Sequence, residues 1–408
     1  NNFQKFDYIR QISRKELFML VGLIAFCFFI LFVYLSKVPT IALFVALSEG
    51  ASSNSDLARS LMGNDFDGKY HWYSLIMHDL FNIVTFTLFS AFLLKKKKII
   101  LDCDPGHDDA IAIMVAGLHK NLDLLGITVV AGNQTYENVT NNALKICDYL
   151  NIDVPVYGGM KGPLIRNQII AVDFHGKTGL DGIKLPETNK KLGNENAVNY
   201  IINTLINSQE KLTLVPVGPL TNIAMALRLE PKIKEKIEKI VLMGGSCSGG
   251  NVTPYSEFNI YADPEAAHIV FSSKLDIYMM GLDITNKTMP NLEIIDKINN
   301  YNTKESDFLY KILHFPKRYD EKGNFLYHTL HDVVTLTYLI DETIIKFDKK
   351  LCKIELKNEE RYGETICLCD KNTSDKNEIK EGYYPIYVGK EIDLKSFWNI
   401  LYEVINNI

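Results

Sequence analysis

Residues 102–109 read Asp-Cys-Asp-Pro-Gly-His-Asp-Asp, which places four carboxylates within eight positions directly after the apolar run Ile99, Ile100 and Leu101. Four like charges crowded at one strand end repel, so either some hold a proton or a hard cation binds them together. Pro105 and Gly106 turn the chain, and the apolar stretch Ala110 to Ala116 predicts a helix entered at Asp108 and Asp109. A helix cap or a first-turn acid accounts for one of that last pair. Asp102 and Asp104, on the strand side, are left for a metal-binding or catalytic task. In open α/β sheets the carboxyl ends of the strands are where ligands bind.

The elements that must position this cluster alternate regularly from Lys97 onward. Apolar runs of strand length at Ile99–Leu101, Leu124–Val130, Val154–Tyr157, Leu212–Val217, Ile240–Met243 and Ile277–Leu282 are separated by helical patterns such as Thr135–Leu150, Ala197–Ile206 and Pro264–Phe271. Asp263-Pro264-Glu265 is a helix start, with Asp as cap and Pro at the first helical position. The alternation predicts an α/β fold built on a parallel sheet. Beyond Asn286 the pattern is helix-rich until strand-like residues return at Leu351–Leu356, and Lys371–Lys380 reads as a polar loop.

This topology sends further motifs to the same rim: Gly132-Asn133, Val217-Gly218-Pro219-Leu220-Thr221-Asn222, Gly244-Gly245, and a loop with Asn251, Glu257, Phe258 and Asn259. No G-x-G-x-x-G follows the first strand and no G-x-x-x-x-G-K-[ST] occurs, so dinucleotide and P-loop readings lose support.

At 408 residues, 47% hydrophobic and 23% charged, the chain fits one large domain with an extra segment, or two domains. A net charge of −5 with no basic stripe gives no footprint for nucleic acid. Seven scattered cysteines predict reduced thiols in a large intracellular domain, with Cys103 and Cys147 in the core; the Cys367-x-Cys369 pair alone does not make a zinc site.

Residues 1–94 differ in kind and read as a hydrophobic, helical N-terminal extension to a domain over 95–408. Leu17 to Leu35 is long and apolar enough to cross a bilayer and follows Arg10, Arg14 and Lys15. Leu75 to Leu94 is a second candidate span, weakened by His78, Asp79 and Asn82, and it ends in Lys95 to Lys98. If both span, the flanking charge puts both termini and the main domain on the cytoplasmic side. The lysines run straight into the first strand with almost no linker, so an upstream extension outside the working domain is the competing reading.

The segment Ile99-Ile100-Leu101-Asp102-Cys103-Asp104-Pro105-Gly106-His107-Asp108-Asp109-Ala110, with Asn133, Val241-Leu242-Met243-Gly244-Gly245, Glu257-Phe258-Asn259 and His331-Asp332, closely resembles the inosine–uridine-preferring nucleoside hydrolase family over roughly residues 97–408. The resemblance implies a Rossmann-like open, mainly parallel sheet flanked by helices, one bound calcium ion (Ca2+), and hydrolysis of ribonucleosides to ribose and free base. It implies homo-oligomers, dimers or tetramers. By position, Asp104, Asp109 and Asp332 would be calcium ligands together with the Val217 carbonyl, where the family often has threonine; a carbonyl ligand makes that change of side chain matter little. Asp108, Asn133, Asn251, Glu257, Phe258 and Asn259 would meet the nucleoside, chiefly its sugar hydroxyls, and His175 and His331 would lie near the base. Tyr319 and Phe315 are placed to stack on the base or to pack against the domain.

Glycosidic cleavage asks for these parts independently. Its oxocarbenium-like transition state needs positive charge stabilised on ribose, a nucleophilic water and a proton for the departing base. Asp104 suits the water, and His331 is the side chain able to protonate a base near neutral pH. Two other classes compete. Asp102-x-Asp104 after a strand also suits a haloacid dehalogenase-type phosphatase, although Pro-Gly-x-Asp-Asp is not how that motif continues. A membrane-tethered nucleoside sensor would keep the sugar ligands but lose the acid or the histidines, and here all are filled.

Overall fold

The computed structural model describes residues 96–315, 318–319, 325–368 and 381–406. A nine-stranded sheet runs in the order β10-β9-β11-β6-β5-β4-β1-β2-β3. Its strands are β1 (Lys97–Cys103), β2 (Leu122–Val129), β3 (Val156–Gly158), β4 (Leu212–Pro216), β5 (Ile237–Met243), β6 (Ile277–Met280), β9 (Ile345–Ile354), β10 (Thr365–Cys367) and β11 (Tyr384–Ile392). A separate two-stranded ribbon pairs β7 (Arg318–Tyr319) with β8 (Phe325–Leu326). The first six strands and β11 are parallel, and β9 and β10 close one edge antiparallel.

Both faces of the sheet are covered, which is why its central strands carry unbroken apolar stretches such as Ile99–Leu101 of β1 and Ile240–Met243 of β5. Along β1, Ile99 and Leu101 enter the layer built on the helices His107–Leu118, Tyr136–Tyr149, Val333–Ile340 and Leu394–Ile405. Ile100 faces the opposite layer, built on Ala197–Asn207, Thr221–Leu229 and Pro264–Phe271.

From β1 the chain winds outward through β2 and β3, then crosses back to β4 and winds the other way through β5 and β6. The two directions part between β1 and β4, whose register sets Asp102 opposite Pro216. The loops leaving these strands must separate there, and the crevice between them receives ligands.

Three expectations change. β9 begins at Ile345 rather than Leu351, because its charged residues Lys346, Asp348, Lys349 and Lys350 lie near the edge of the sheet and hide the strand pattern. Lys97, read as part of a basic flank before a strand that starts at Lys98, belongs to β1 as well, and Lys97 and Lys98 pair with Glu342 and Glu210, each at 2.6 Å. The thiols are not all reduced: Cys247 and Cys367, 120 positions apart, form a disulfide between the loop after β5 and β10, while Cys103, Cys147 and Cys352 are buried thiols. Such a separation leaves no trace in local spacing. Leu17–Leu35, Leu75–Leu94 and Lys371–Lys380 lie outside the described residues; among the described residues no helix is long and apolar enough to cross a membrane.

Candidate active site

The turn after β1 folds on its own acids. Asp109 accepts the backbone N–H of Asp104 on Oδ1 (3.0 Å) and that of Gly106 on Oδ2 (2.9 Å), closing the start of the helix His107–Leu118. It therefore caps the helix and still presents a carboxylate to its neighbours. Asp102 turns to the opposite layer, where Oδ1 accepts from Thr128 Oγ1 at 2.6 Å and Asn222 Nδ2 at 2.7 Å. Burial pushes its carboxyl up to about 7.

Asp104 points into the crevice. Its Oδ2 accepts the Asn133 backbone N–H at 2.6 Å, while Oδ1 is buried without a hydrogen-bond partner. Gly132 and Gly218 flank it so tightly that a Cβ on either would lie 2.1 Å and 2.4 Å from its oxygens. Ligating oxygens of Asp108, Asp109 and Asp332 lie within 4.8 Å of one another, all buried. Burial raises the carboxyls of Asp104 and Asp332 well above the ordinary range, and the neighbouring acids raise them further. Asp109 rises to about 7 for the same two reasons. An orphaned buried oxygen amid mutually repelling acids fits a hard divalent cation, which all-oxygen donors favour over softer metals.

The carbonyl of Val217 leaves β4 beside this cluster. Asn259 binds it through Nδ2 at 2.8 Å and the Met243 carbonyl at 3.1 Å, so one side chain joins the ends of β4 and β5. Glu257 caps the short helix Phe258–Ala262, taking Asn259 N–H on Oε1 and the N–H groups of Gly245 and Ile260 on Oε2. Burial lifts its carboxyl to about 7. Gly245 has φ +74°, a backbone conformation that only glycine adopts without strain, and this turn aims its N–H at Glu257. Asn251 closes the same loop by accepting the Phe258 N–H at 2.9 Å.

These groups open on a cavity of about 610 Å³, a size suited to a small ligand. Asp108, Asn133 and Asp332 line it, as do Val217, Asn251, Glu257, Phe258 and Asn259. His175 and His331 line it too, and His331 Nδ1 lies 2.8 Å from Thr285 Oγ1. Asp104 and Asp109 sit behind it, fully buried, reached through Asn133, whose Nδ2 donates to Asp109 Oδ2 at 3.0 Å. Tyr319 does not reach the cavity: it is 62% exposed and packs edge-on against Phe325. Phe315 stacks instead on His107, ring centroids 4.4 Å apart.

Sequence reasoning missed His328. It lines the cavity with Nε2 3.7 Å from Asp108 Oδ1. Burial works against the charge of Asp108, and the His328 ring, with His175 and His331, outweighs it and holds that carboxyl below its ordinary range. The available signal was a second histidine three residues ahead of His331 in an irregular segment.

The inosine-uridine preferring nucleoside hydrolase family model matches residues 99–399, from the first buried residue of β1 into the last helix. The chain belongs to this family. The pyrimidine-specific ribonucleoside hydrolase RihB of Escherichia coli O1:K1 / APEC is 44% identical over 313 residues, covering 76% of this chain and 98% of that protein. Among solved structures, a purine-preferring ribonucleoside hydrolase from Gardnerella vaginalis superposes with a TM-score of 0.68 at 32% identity, covering 76% of this chain and 98% of its own. The plant nucleoside hydrolase PpNRh1 gives 0.70 at 28% identity, covering 76% and 99%. This nucleoside hydrolase thus cleaves the N-glycosidic bond of ribonucleosides, and the phosphatase and sensor readings fall away.

Proposed function

We propose that this nucleoside hydrolase is calcium-dependent and prefers pyrimidine ribonucleosides. The observation that carries the metal reading is Asp104 Oδ1, a buried carboxylate oxygen without a hydrogen-bond partner amid other buried acids. Asp104, Asp109, Asp332 and the Val217 carbonyl would hold the ion, a donor set of oxygens alone. When bound, calcium supplies positive charge that keeps these acids ionised and attracts the hydroxyls of the sugar.

Asp104 is the general base. The Asn133 N–H holds Oδ2, which leaves Oδ1 to take a proton from the attacking water. Water oxygen bonds to C1′ as the C1′–N bond breaks, and its electron pair leaves on the base. Glu257 and Asp108 stand against the sugar, where negative charge favours the oxocarbenium-like transition state. Asn133, Asn251, Phe258 and Asn259 complete the sugar's binding surface. His331, oriented by Thr285, donates the proton that neutralises the departing base, with His175 beside it. The pyrimidine preference rests on the 44% identity to RihB, against 32% to the purine-preferring hydrolase.

Ribose release from uridine, cytidine and inosine, measured before and after exhaustive calcium removal, tests both halves. The expected result is calcium-dependent release, fastest from uridine or cytidine. Undiminished release after calcium removal sinks the metal assignment, and faster release from inosine sinks the base preference.

A further inference from the structure

His331 and His175 stand at the departing base, but a third histidine lines the same cavity and the cleavage gives it no task. His328 is 5% exposed, and both its ring nitrogens are buried without a hydrogen-bond partner. Native interiors rarely leave such groups unsatisfied, and a catalytic role is one of the standard reasons when they do.

The chain around His328 fixes where its ring sits. Its backbone N–H donates to the Leu313 carbonyl at 2.8 Å, at the end of the helix Lys304–Leu313, and Thr288 Oγ1 donates to the Leu330 carbonyl at 3.1 Å. The ring packs against two others, tilted on His107 with centroids 5.5 Å apart and edge-on to His175 at 5.8 Å. Packing of this kind locks a rotamer, which a side chain needs if it is to hold another in place.

The side chain it meets is Asp108. Nε2 lies 3.7 Å from Oδ1, an ion-pair distance that closes to an ordinary N–H···O bond with a movement of less than about 1 Å. A carboxylate only accepts, so Nε2 carries a ring proton there. Among the described residues His328 is the ion-pair partner of Asp108, and a ring nitrogen of His175 stands within 4.8 Å. The neighbouring Asp109, by contrast, is fastened by the N–H groups of Asp104 and Gly106 and by the Asn133 amide. The direction of the Asp108 carboxylate falls to His328.

We propose that His328 is a positioning residue for the cleavage: its Nε2–H aims the Asp108 carboxylate at the ribose, where the oxocarbenium-like charge develops. The inference rests on the sugar-facing reading of Asp108. A misaimed carboxylate costs most in the transition state, because only there does the ribose carry the positive charge it answers.

The test uses the calcium-loaded full chain and two substrates, uridine and a riboside whose leaving group needs no proton. Both carry the same sugar. His328→Leu should therefore lower kcat by the same factor on each, roughly 10- to 100-fold, with KM within about threefold, since a misplacement of about 1 Å can cost about 10²-fold. His328→Gln sets an amide N–H where Nε2 stood and should recover most of the loss; His328→Asn, whose amide reaches only to the place of Nδ1, should not. In an Asp108→Asn background His328→Leu should cost nothing more, because a residue that acts through another has nothing left to act on. A loss confined to uridine assigns His328 to the base and overturns the inference, as do losses that multiply in the double variant or a loss in His328→Gln as large as in His328→Leu. Asp108→Asn with unaltered kcat overturns it together with the sugar-facing reading, whereas a slowed Asp108→Asn beside a fully active His328→Leu overturns it alone. Should His328→Leu fail to fold, His328→Asn is read in its place against the same outcomes.

Discussion

Asn133 grips Asp104 at two points: its backbone N–H donates to Oδ2 at 2.6 Å and its side-chain amide donates to the Asp104 carbonyl at 3.2 Å. The carboxylate cannot turn without breaking the shorter bond, so Oδ1 keeps its direction toward the crevice. Asp104→Asn preserves the shape but removes the base. Turnover of uridine should fall by about 10²–10⁴-fold, the usual worth of general base catalysis, with the melting temperature little changed. Activity within tenfold of the parent refutes the assignment.

His331 and Thr285, the last residue of the short helix Leu282–Thr285, form a second such pair, 2.8 Å apart. If His331 protonates the leaving base, His331→Ala should lose about 10²–10⁴-fold on uridine and far less on a riboside whose leaving group needs no proton. Equal losses on both substrates refute the acid role. Thr285→Val should lower kcat with little change in KM, because it loosens the ring without removing it.

How much of this was legible in the chain follows from what kind of signal each part leaves. β1, the helix start at His107 and the acids between them are local, and Ile99 to Asp109 predicted their own placement at a strand end. Strands β1 to β6 were readable because burial on the sheet's covered faces leaves each an apolar run. β9 was obscured because, one place from the antiparallel edge of the sheet, it leaves charged residues such as Lys346 and Lys349 in water. His328 and the disulfide were invisible for another reason: each is defined by a partner far away, Asp108 for one and Cys247 against Cys367 for the other.

Removal of the cation should also be visible in stability. Whatever binds only the folded state stabilises it by about 2.7 kcal/mol at a hundredfold excess over Kd, about 4 °C in melting temperature for a domain of this size. A chelator should lower the melting temperature by that amount, and calcium should restore it better than magnesium, which demands a tighter octahedral shell. An unchanged melt with and without chelator contradicts a structural hold on Asp104, Asp109 and Asp332.

Glu342 bridges Lys97 of β1 and Lys239 of β5, at 2.6 Å and 2.7 Å. Burial opposes its charge, but the two ammonium groups outweigh that and bring its carboxyl from 4.5 down to about 2. A pKa lowered by folding stabilises the protein above the unfolded value, and that contribution is lost as pH falls from about 4.5 through about 2. Glu342→Gln should therefore melt below the parent at pH 7, and the gap should shrink on acidification through that window. A gap that is constant with pH refutes the ion-pair origin.

The disulfide Cys247–Cys367 fastens the loop that carries Asn251 and Glu257 to β10. That loop has a second tether: Asp283 accepts the Cys247 N–H at 2.9 Å and the Ser248 hydroxyl at 2.7 Å. Losing the disulfide should thus cost stability before it costs binding. Because it closes a chain segment of 120 residues, Cys247→Ser should destabilise by about 2–5 kcal/mol. The KM for uridine should stay within about twofold, since the two Asp283 bonds, each worth about 1–3 kcal/mol to a charged acceptor, still seat the loop. Adding Asp283→Asn removes that charge, and KM should then rise in the double variant. Thermal melts with and without reductant, paired with uridine kinetics, separate the two tethers: a KM that rises fully on reduction alone assigns the seating of the loop to the disulfide and overturns the role given to Asp283.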